Sequence, residues 1–408
     1  MSNGLWILGG YQTDFARNYT REGNDISVLV DEVVEHTLSD AGVSASNIDV
    51  IHVGNAFGQL FTGQGHLGAM PATVHPELWG TPSSRHEAAC ASGSIATNAA
   101  MADLEAGRYE CALVLGAELE KTVHGDIAAQ HLGAAAWIGH EGQDATYMWP
   151  HMFSELADEY DRRYGLNDQH LHAISEMNYR NARSNPNAQT RKWQFGSGSF
   201  DDDDANNPVI EGRTRRNDCS QVTDGGAGVV IATDAWVAKH PEVLTRGRAA
   251  RIAGWGHRTV GLSTQSKLNG DDALVLPHVA ETFDDALRRA GLDSVTELDG
   301  IETHDCFAMS EYMAIDHLGI TEAGKSWQAI EDGRLEKDGE IPVNPSGGLI
   351  GGGHPVGATG VRMLVDASRQ VTGRAGEYQI PDARRFATLN IGGSTATTCS
   401  FVVESAEA

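Results

Sequence analysis

One helix–strand unit is written twice in this chain, about 250 residues apart. The segment VDEVVEHTLSDAG (30–42) has apolar residues at helical spacing and stops at glycine, and IDVIHVGNAFGQ (48–59) follows as a short buried strand. VAETFDDALRRAG (279–291) stops in the same way and leads into LDGIETHDCFAM (298–309). A second pair recurs in the same order. CASGSIATNAAMADLEAG (90–107) precedes the strand YECALVLGAE, and GHPVGATGVRMLVDASRQ (353–370) precedes RFATLNIGGS. Two related halves of alternating helices and strands predict buried, predominantly parallel sheets covered by helices.

The halves are not adjacent. From about 121 to 220 the chain is rich in His, Asn, Asp and aromatic residues, and the strand GAGVVIATDA resumes the first half afterwards. The expected division is therefore a first half at 1–120 plus about 221–250, an inserted region at about 121–220, and a second half at about 251–408. The run Asp201–Asp204 inside the insert reads as a solvated loop rather than a metal site.

Composition narrows the function. Fifty-six acidic residues against 30 basic ones give a net charge of −26 across 408 residues. Nucleic acid and anionic membrane surfaces both require concentrated positive charge, so neither is an expected partner. No apolar run approaches a membrane span of about 20 residues. MSNGLWILGG lacks a signal peptide's charged start, and ESAEA is no peroxisomal tripeptide. Five scattered cysteines without a CxxC pair suit a reducing compartment, and the expectation is a cytoplasmic protein.

Chemistry concentrates at a few positions. Cys90, in EAACASGS, stands where a strand turns into a helix. The positive end of the helix dipole would lower its pKa, which marks it as a nucleophile, although a small buried thiol is the plain alternative. His354 lies in NPSGGLIGGGHPVGATG (344–360), whose glycines force an unusual backbone before a helix. A phosphate-cradling loop would look similar, but GxxxxGK[ST] is missing, and a histidine that deprotonates a thiol fits better. His304 and Cys306 share HDCF at the mouth of the repeated strand, where α/β sheets place their sites. Cys306 is an acid/base of useful strength. A zinc site there lacks further ligands. Cys111 and Cys399 fall in apolar strands and read as structural, and Cys219 has no assigned role.

The order CASG, HDCF, NPSGGLIGGGHPVGATG, LNIGG resembles the thiolase superfamily, and HDCF in place of NEAF resembles its sterol-carrier-protein-type members. DGGAG (224–228) belongs to the same pattern. The resemblance implies an α/β fold of duplicated halves making five αβαβα layers, with an inserted loop domain. It implies Cys90 as nucleophile and His354 as its base. It places the amides of Cys90 and Gly392 around an oxyanion, and it gives the enolate oxygen a second hole made by His354 and a water held by His304. Most thiolases carry a CxG cysteine where this chain reads Asn390-Ile391-Gly392, and the resemblance hands that acid/base role to Cys306.

The implied reaction is thiolytic cleavage of a 3-oxoacyl-CoA, or the reverse Claisen condensation of acetyl-CoA, with coenzyme A as substrate and no bound cofactor or metal. His151, Met152 and Ser220 match positions that contact the pantetheine arm. Arg213, Arg215 and Arg216 would meet CoA phosphates or form a solvated basic turn. A homodimer or homotetramer is expected, and a small zinc-ribbon/OB-fold protein is a further partner of some prokaryotic relatives. Three alternatives remain: a retro-aldolase on steroid side-chain CoA esters, an acetyl transferase with a non-CoA acceptor, and a non-catalytic scaffold.

Overall fold

A computed structural model describes residues 4–407. The strands of the main sheet are β1 (Leu5–Gln12), β2 (Val50–Gly54), β3 (Ser83–His86), β4 (Cys111–Glu118), β5 (Gly225–Thr233), β6 (Ala250–Thr259), β7 (Gly300–Glu302), β8 (Arg385–Gly392) and β9 (Thr397–Ser405). They form one sheet in the order β3-β2-β4-β5-β1-β6-β9-β8-β7. The halves meet along a short antiparallel ladder in which Leu5, Trp6 and Ile7 face Ile252, Arg251 and Ala250. The sheet is mixed, which departs from the parallel expectation. Only β2–β3, β2–β4 and β7–β8 run parallel. A short turn joins β8 to β9, and so tight a connection forces antiparallel pairing.

The principal helices are α1 (Ile26–Ala41), α2 (Ser92–Glu105), α3 (Gly125–Gly133), α4 (Met148–Tyr164), α5 (Asp168–Ala182), α6 (Pro277–Ala290), α7 (Ala308–His317) and α8 (Thr359–Val371). The duplication is visible in their ends. Gly42 after α1 and Gly291 after α6 adopt φ of 69° and 74°, and each amide caps its helix with a bond to Leu38 or Leu287. Only glycine takes that left-handed position cheaply. Helix α1 covers the first half's strands and α6 the second's, while α2 and α8 pack against each other between the two sets of strands. The result is five layers, helix–strands–helix–strands–helix, in which the two strand layers are halves of one continuous sheet joined at β1–β6.

Of the helices between β4 and β5, α4 and α5 pack on α7 of the second half. Phe153, Leu156, Tyr160 and Ile174 share one core with Phe307, Tyr312 and Met313. Asp202 and Asp204 of the acidic run pair with Arg215, and Asp202 also meets His172, so that run is spent on holding the loop.

A buried ion pair fixes the centre. Arg362 on α8 is 2% exposed and bonds Glu302 at 2.8 Å and Asp366 at 3.0 Å. Arg362→Met would leave two buried carboxylates uncompensated, a cost of about 3–5 kcal/mol. Urea unfolding should show that loss, and an unchanged midpoint would contradict the assignment.

Candidate active site

Cys90 sits between β3 and α2, and the backbone there is strained: Ala89, which precedes it, has φ 50°. A non-glycine residue in that region costs on the order of 1–3 kcal/mol and marks an over-determined position. His304 follows β7, and His354 opens the turn before α8. Cys90 Sγ and one ring nitrogen from each histidine lie within 4.8 Å of one another. The two rings meet edge to face, with centroids 5.2 Å apart. Cys90, Cys306, His354 and Ser220 line one cavity of ≈ 360 Å³, walled mainly by Phe57, Leu132, Trp149, Phe153, Phe307 and Val356.

The hydrogen bonds give the two histidines opposite jobs. The Thr359 hydroxyl donates to the Pro355 carbonyl (3.1 Å), so it receives the Nδ1–H of His354 at 2.7 Å. That leaves His354 Nε2 with a free lone pair, the form of a base. The Ser94 hydroxyl donates to Asn390 Oδ1 (2.8 Å), which turns the amide so that Nδ2–H donates to His304 Nδ1 (3.0 Å). His304 therefore carries its proton on Nε2, the form of a hydrogen-bond donor. Burial, with Arg362 nearby, holds His354 down at about 3; burial and the neighbouring His354 hold His304 well below its ordinary value. Both rings are neutral at physiological pH.

The thiols differ from the expectation of a lowered pKa. Burial pushes Cys90 up to about 12, the Gly393 amide that points at its sulfur pulls it back, and the nearby Glu120 pushes it further up. Desolvation outweighs the helix end. Burial raises Cys306 as well, with Cys90 as its next influence. In the resting protein both are thiols, and a base must act on Cys90 during attack. Cys111 and Cys399 are buried in β4 and β9, while Cys219 joins the cavity wall.

Other expected positions divide. Gly392 ends β8 in register with Thr397, and it is the next residue, Gly393, that sends its amide to Cys90. Ser220 lines the cavity and donates its amide to the Cys306 carbonyl at 2.8 Å. His151 and Met152 stand apart from the lining residues, because their segment is helical. On α4, Trp149 and Phe153 face the cavity one turn apart, Met152 packs toward Leu268 and Leu276, and His151 turns to Glu155 and Glu211. Among the arginines, Arg213 is paired with Asp158, Asp161 and Asp168, and Arg215 with Asp202 and Asp204. Arg216 lines the cavity.

Thr359 and Gly393 lie inside the motifs NPSGGLIGGGHPVGATG and LNIGG without being singled out there, and Glu120 had no signal in the sequence as a site residue. Asn390 had one, since it stands where a cysteine was expected. Cys90, His304 and His354 also group closely enough to share a metal ion, with the sulfur and nitrogen donors that zinc prefers.

Comparisons with known proteins identify the family and fold. Residues 5–194 match the model of the thiolase N-terminal domain, and 261–405 match the thiolase C-terminal domain-like model. The acetyl-CoA acetyltransferase of Methanothermobacter thermautotrophicus is 30% identical over 392 residues, covering 96% of this chain and 97% of its own. Sterol carrier protein 2 of Oryctolagus cuniculus is 27% identical, over 97% of this chain and 71% of its own. Among solved structures, the Ltp2-ChsH2(DUF35) aldolase superposes with TM-score 0.78 at 19% identity, over 98% of each chain. The human mitochondrial 3-ketoacyl-CoA thiolase in complex with CoA superposes with TM-score 0.69 at 16% identity, over 99% of this chain and 98% of its own. Motif order, the five-layer fold and these matches together show that the chain belongs to the thiolase family.

Proposed function

We propose that this acyltransferase cleaves 3-oxoacyl-CoA with free CoA, or runs the reverse Claisen condensation of acetyl-CoA, through an acyl thioester on Cys90. The observation that carries the reading is the pairing of a base-form His354 and a donor-form His304 around Cys90, with a second thiol, Cys306, in the same cavity.

His354 Nε2 takes the Cys90 proton as sulfur attacks the 3-oxo carbon. The developing oxyanion is met by backbone amides at Cys90 and at the Gly392–Gly393 corner. As the carbon–carbon bond breaks, the Cys306 thiol gives its proton to the leaving enolate carbon, and the Nε2–H groups of His304 and of the now protonated His354 face the enolate oxygen. Free CoA, deprotonated by Cys306, then takes the acyl group from Cys90. CoA is a substrate, and the reading calls for no bound cofactor. Arg216 at the cavity wall supplies local positive charge for an anionic ligand on an acidic body.

The assembly belongs to the same proposal: a homodimer or homotetramer, with a small zinc-ribbon/OB-fold partner. The name of the Ltp2-ChsH2(DUF35) neighbour pairs two components, which supports looking for such a partner. No described helix is long and apolar enough to cross a membrane, and a cytoplasmic location fits the free thiols.

The test mixes purified protein with acetoacetyl-CoA and longer 3-oxoacyl-CoA esters plus CoA, following loss of the enolate absorbance. CoA-dependent cleavage is expected. Inactivity across all chain lengths would overturn the reading.

A further inference from the structure

We propose that Glu120 selects substrates: its carboxyl hydrogen-bonds an oxygen function, a hydroxyl or additional carbonyl, on the acyl part of the substrate held at Cys90. This rests on the acyl-transfer reading and narrows its substrate class.

Glu120 lies just past the end of β4, is 1% exposed, and lines the same cavity as Cys90. One oxygen, Oε1, accepts the Val356 amide at 2.8 Å. The other, Oε2, is buried without a hydrogen-bond partner. Proteins leave such atoms unpaired rarely, and a cavity-lining one is completed most simply by a ligand. The cavity it lines is walled mainly by apolar residues, Phe57, Leu132 and Trp149 among them, so a hydrocarbon chain alone would leave the carboxyl unsatisfied.

The neighbours define which form of the carboxyl a ligand meets. Glu118 and Asp224 are buried beside it: the Asp224 oxygens accept amides from Tyr19, Glu120 and Lys121, and Glu118 Oε1 accepts those of Ala56 and Phe57. Glu118 Oε2 is also unpartnered but, unlike Glu120, Glu118 does not line the cavity. The Lys121 ammonium is turned to the carbonyls of Phe15 and Arg17. Burial and these two acids push Glu120 well above the carboxylate range, and the Val356 and Thr223 amides oppose this only in part. A neutral carboxylic acid has a proton to donate, and its natural partner is an oxygen acceptor. A cationic amine would need the charged form.

The reacting oxygens of a 3-oxo thioester have other partners. Gly393 addresses the sulfur, while Asn390 and Thr359 aim His304 and His354. No hydrogen bond among the described residues ties Glu120 to Cys90, Cys306 or either histidine. Its free oxygen is therefore left for a further oxygen on the acyl chain.

The experiment compares kcat/KM for thiolysis of 3-oxo-octanoyl-CoA with that of its 5-, 6- and 7-hydroxy counterparts, in wild type and in Glu120→Met. Wild type should favour at least one hydroxylated ester, and Glu120→Met should reduce that ratio by about 10- to 100-fold, the effect of one buried hydrogen bond lost or left unmade. Glu120→Leu serves if the methionine variant does not fold. An equal ratio in wild type and variant overturns the proposal. Should wild type cleave none of these esters, the acyl-transfer reading fails by itself. Calorimetric binding of the same esters to Cys90→Ala, with and without Glu120→Met, then decides on Glu120. A hydroxyl preference lost with the carboxyl supports it, and equal affinities reject it.

Discussion

Cys90→Ala is expected to lower thiolysis by on the order of 10⁴-fold or more, as removal of a covalent nucleophile does in enzymes whose catalytic groups act as a unit. The retro-aldol alternative makes no covalent bond to Cys90 and predicts retained carbon–carbon cleavage in the same variant. Full retention would therefore sink the acyl-Cys90 mechanism. The pH dependence follows from burial. Cys90, pushed up to about 12, is a neutral thiol at pH 7, and its reaction with iodoacetamide in the free enzyme should be slow and rise with pH. An alkylation rate already at its plateau below pH 7 would mean a preformed thiolate–imidazolium pair. His354, held down at about 3, loses its proton far below the ordinary histidine value of 6.5, so it is already a base at acidic pH. Its titration should contribute no fall in kcat/KM as pH drops through 6.5.

Cys306→Ala is expected to reduce cleavage by about 10²–10⁴-fold, the range for a positioned general acid–base. The thiol is protonated in the resting enzyme because burial raises it, with Cys90 beside it as the next cause. That is the form needed to quench a leaving enolate. The condensation direction should suffer at least as much, since the same sulfur must remove the α-proton. A useful control is single-turnover acylation of Cys90 by a simple thioester, which breaks no carbon–carbon bond and should survive far better. Equal losses in both reactions would point to a collapsed cavity, and full cleavage activity would remove Cys306 from the mechanism.

Much of the architecture was legible from periodicity and glycine placement. The repeated helices end at Gly42 and Gly291, in the left-handed conformation that glycine alone adopts cheaply. The mixed direction of the sheet was not legible, since strand direction depends on which strands become neighbours, and that is settled by connections such as the short β8–β9 turn. The expectation of His151 and Met152 at the pantetheine arm rested on the family resemblance alone. The segment is helical, so residues one turn apart share a face, and the cavity receives Trp149 and Phe153 instead.

The sequence by itself determined the duplicated α/β plan and which residues bear thiol and imidazole groups, because motif chemistry and helical spacing are local properties. Only the tertiary structure decided how those groups behave. Asn390 and Thr359, remote in sequence from Cys90, set the two histidine tautomers. The Cys90 pKa went against its local reading because desolvation depends on everything packed around the sulfur, whereas the helix dipole is a short-range contribution from its own turn. Glu120 gained its meaning in the same way. In the sequence it is one of 56 acidic residues, and in the fold it is a buried carboxyl with an unpaired oxygen beside the reacting thiol.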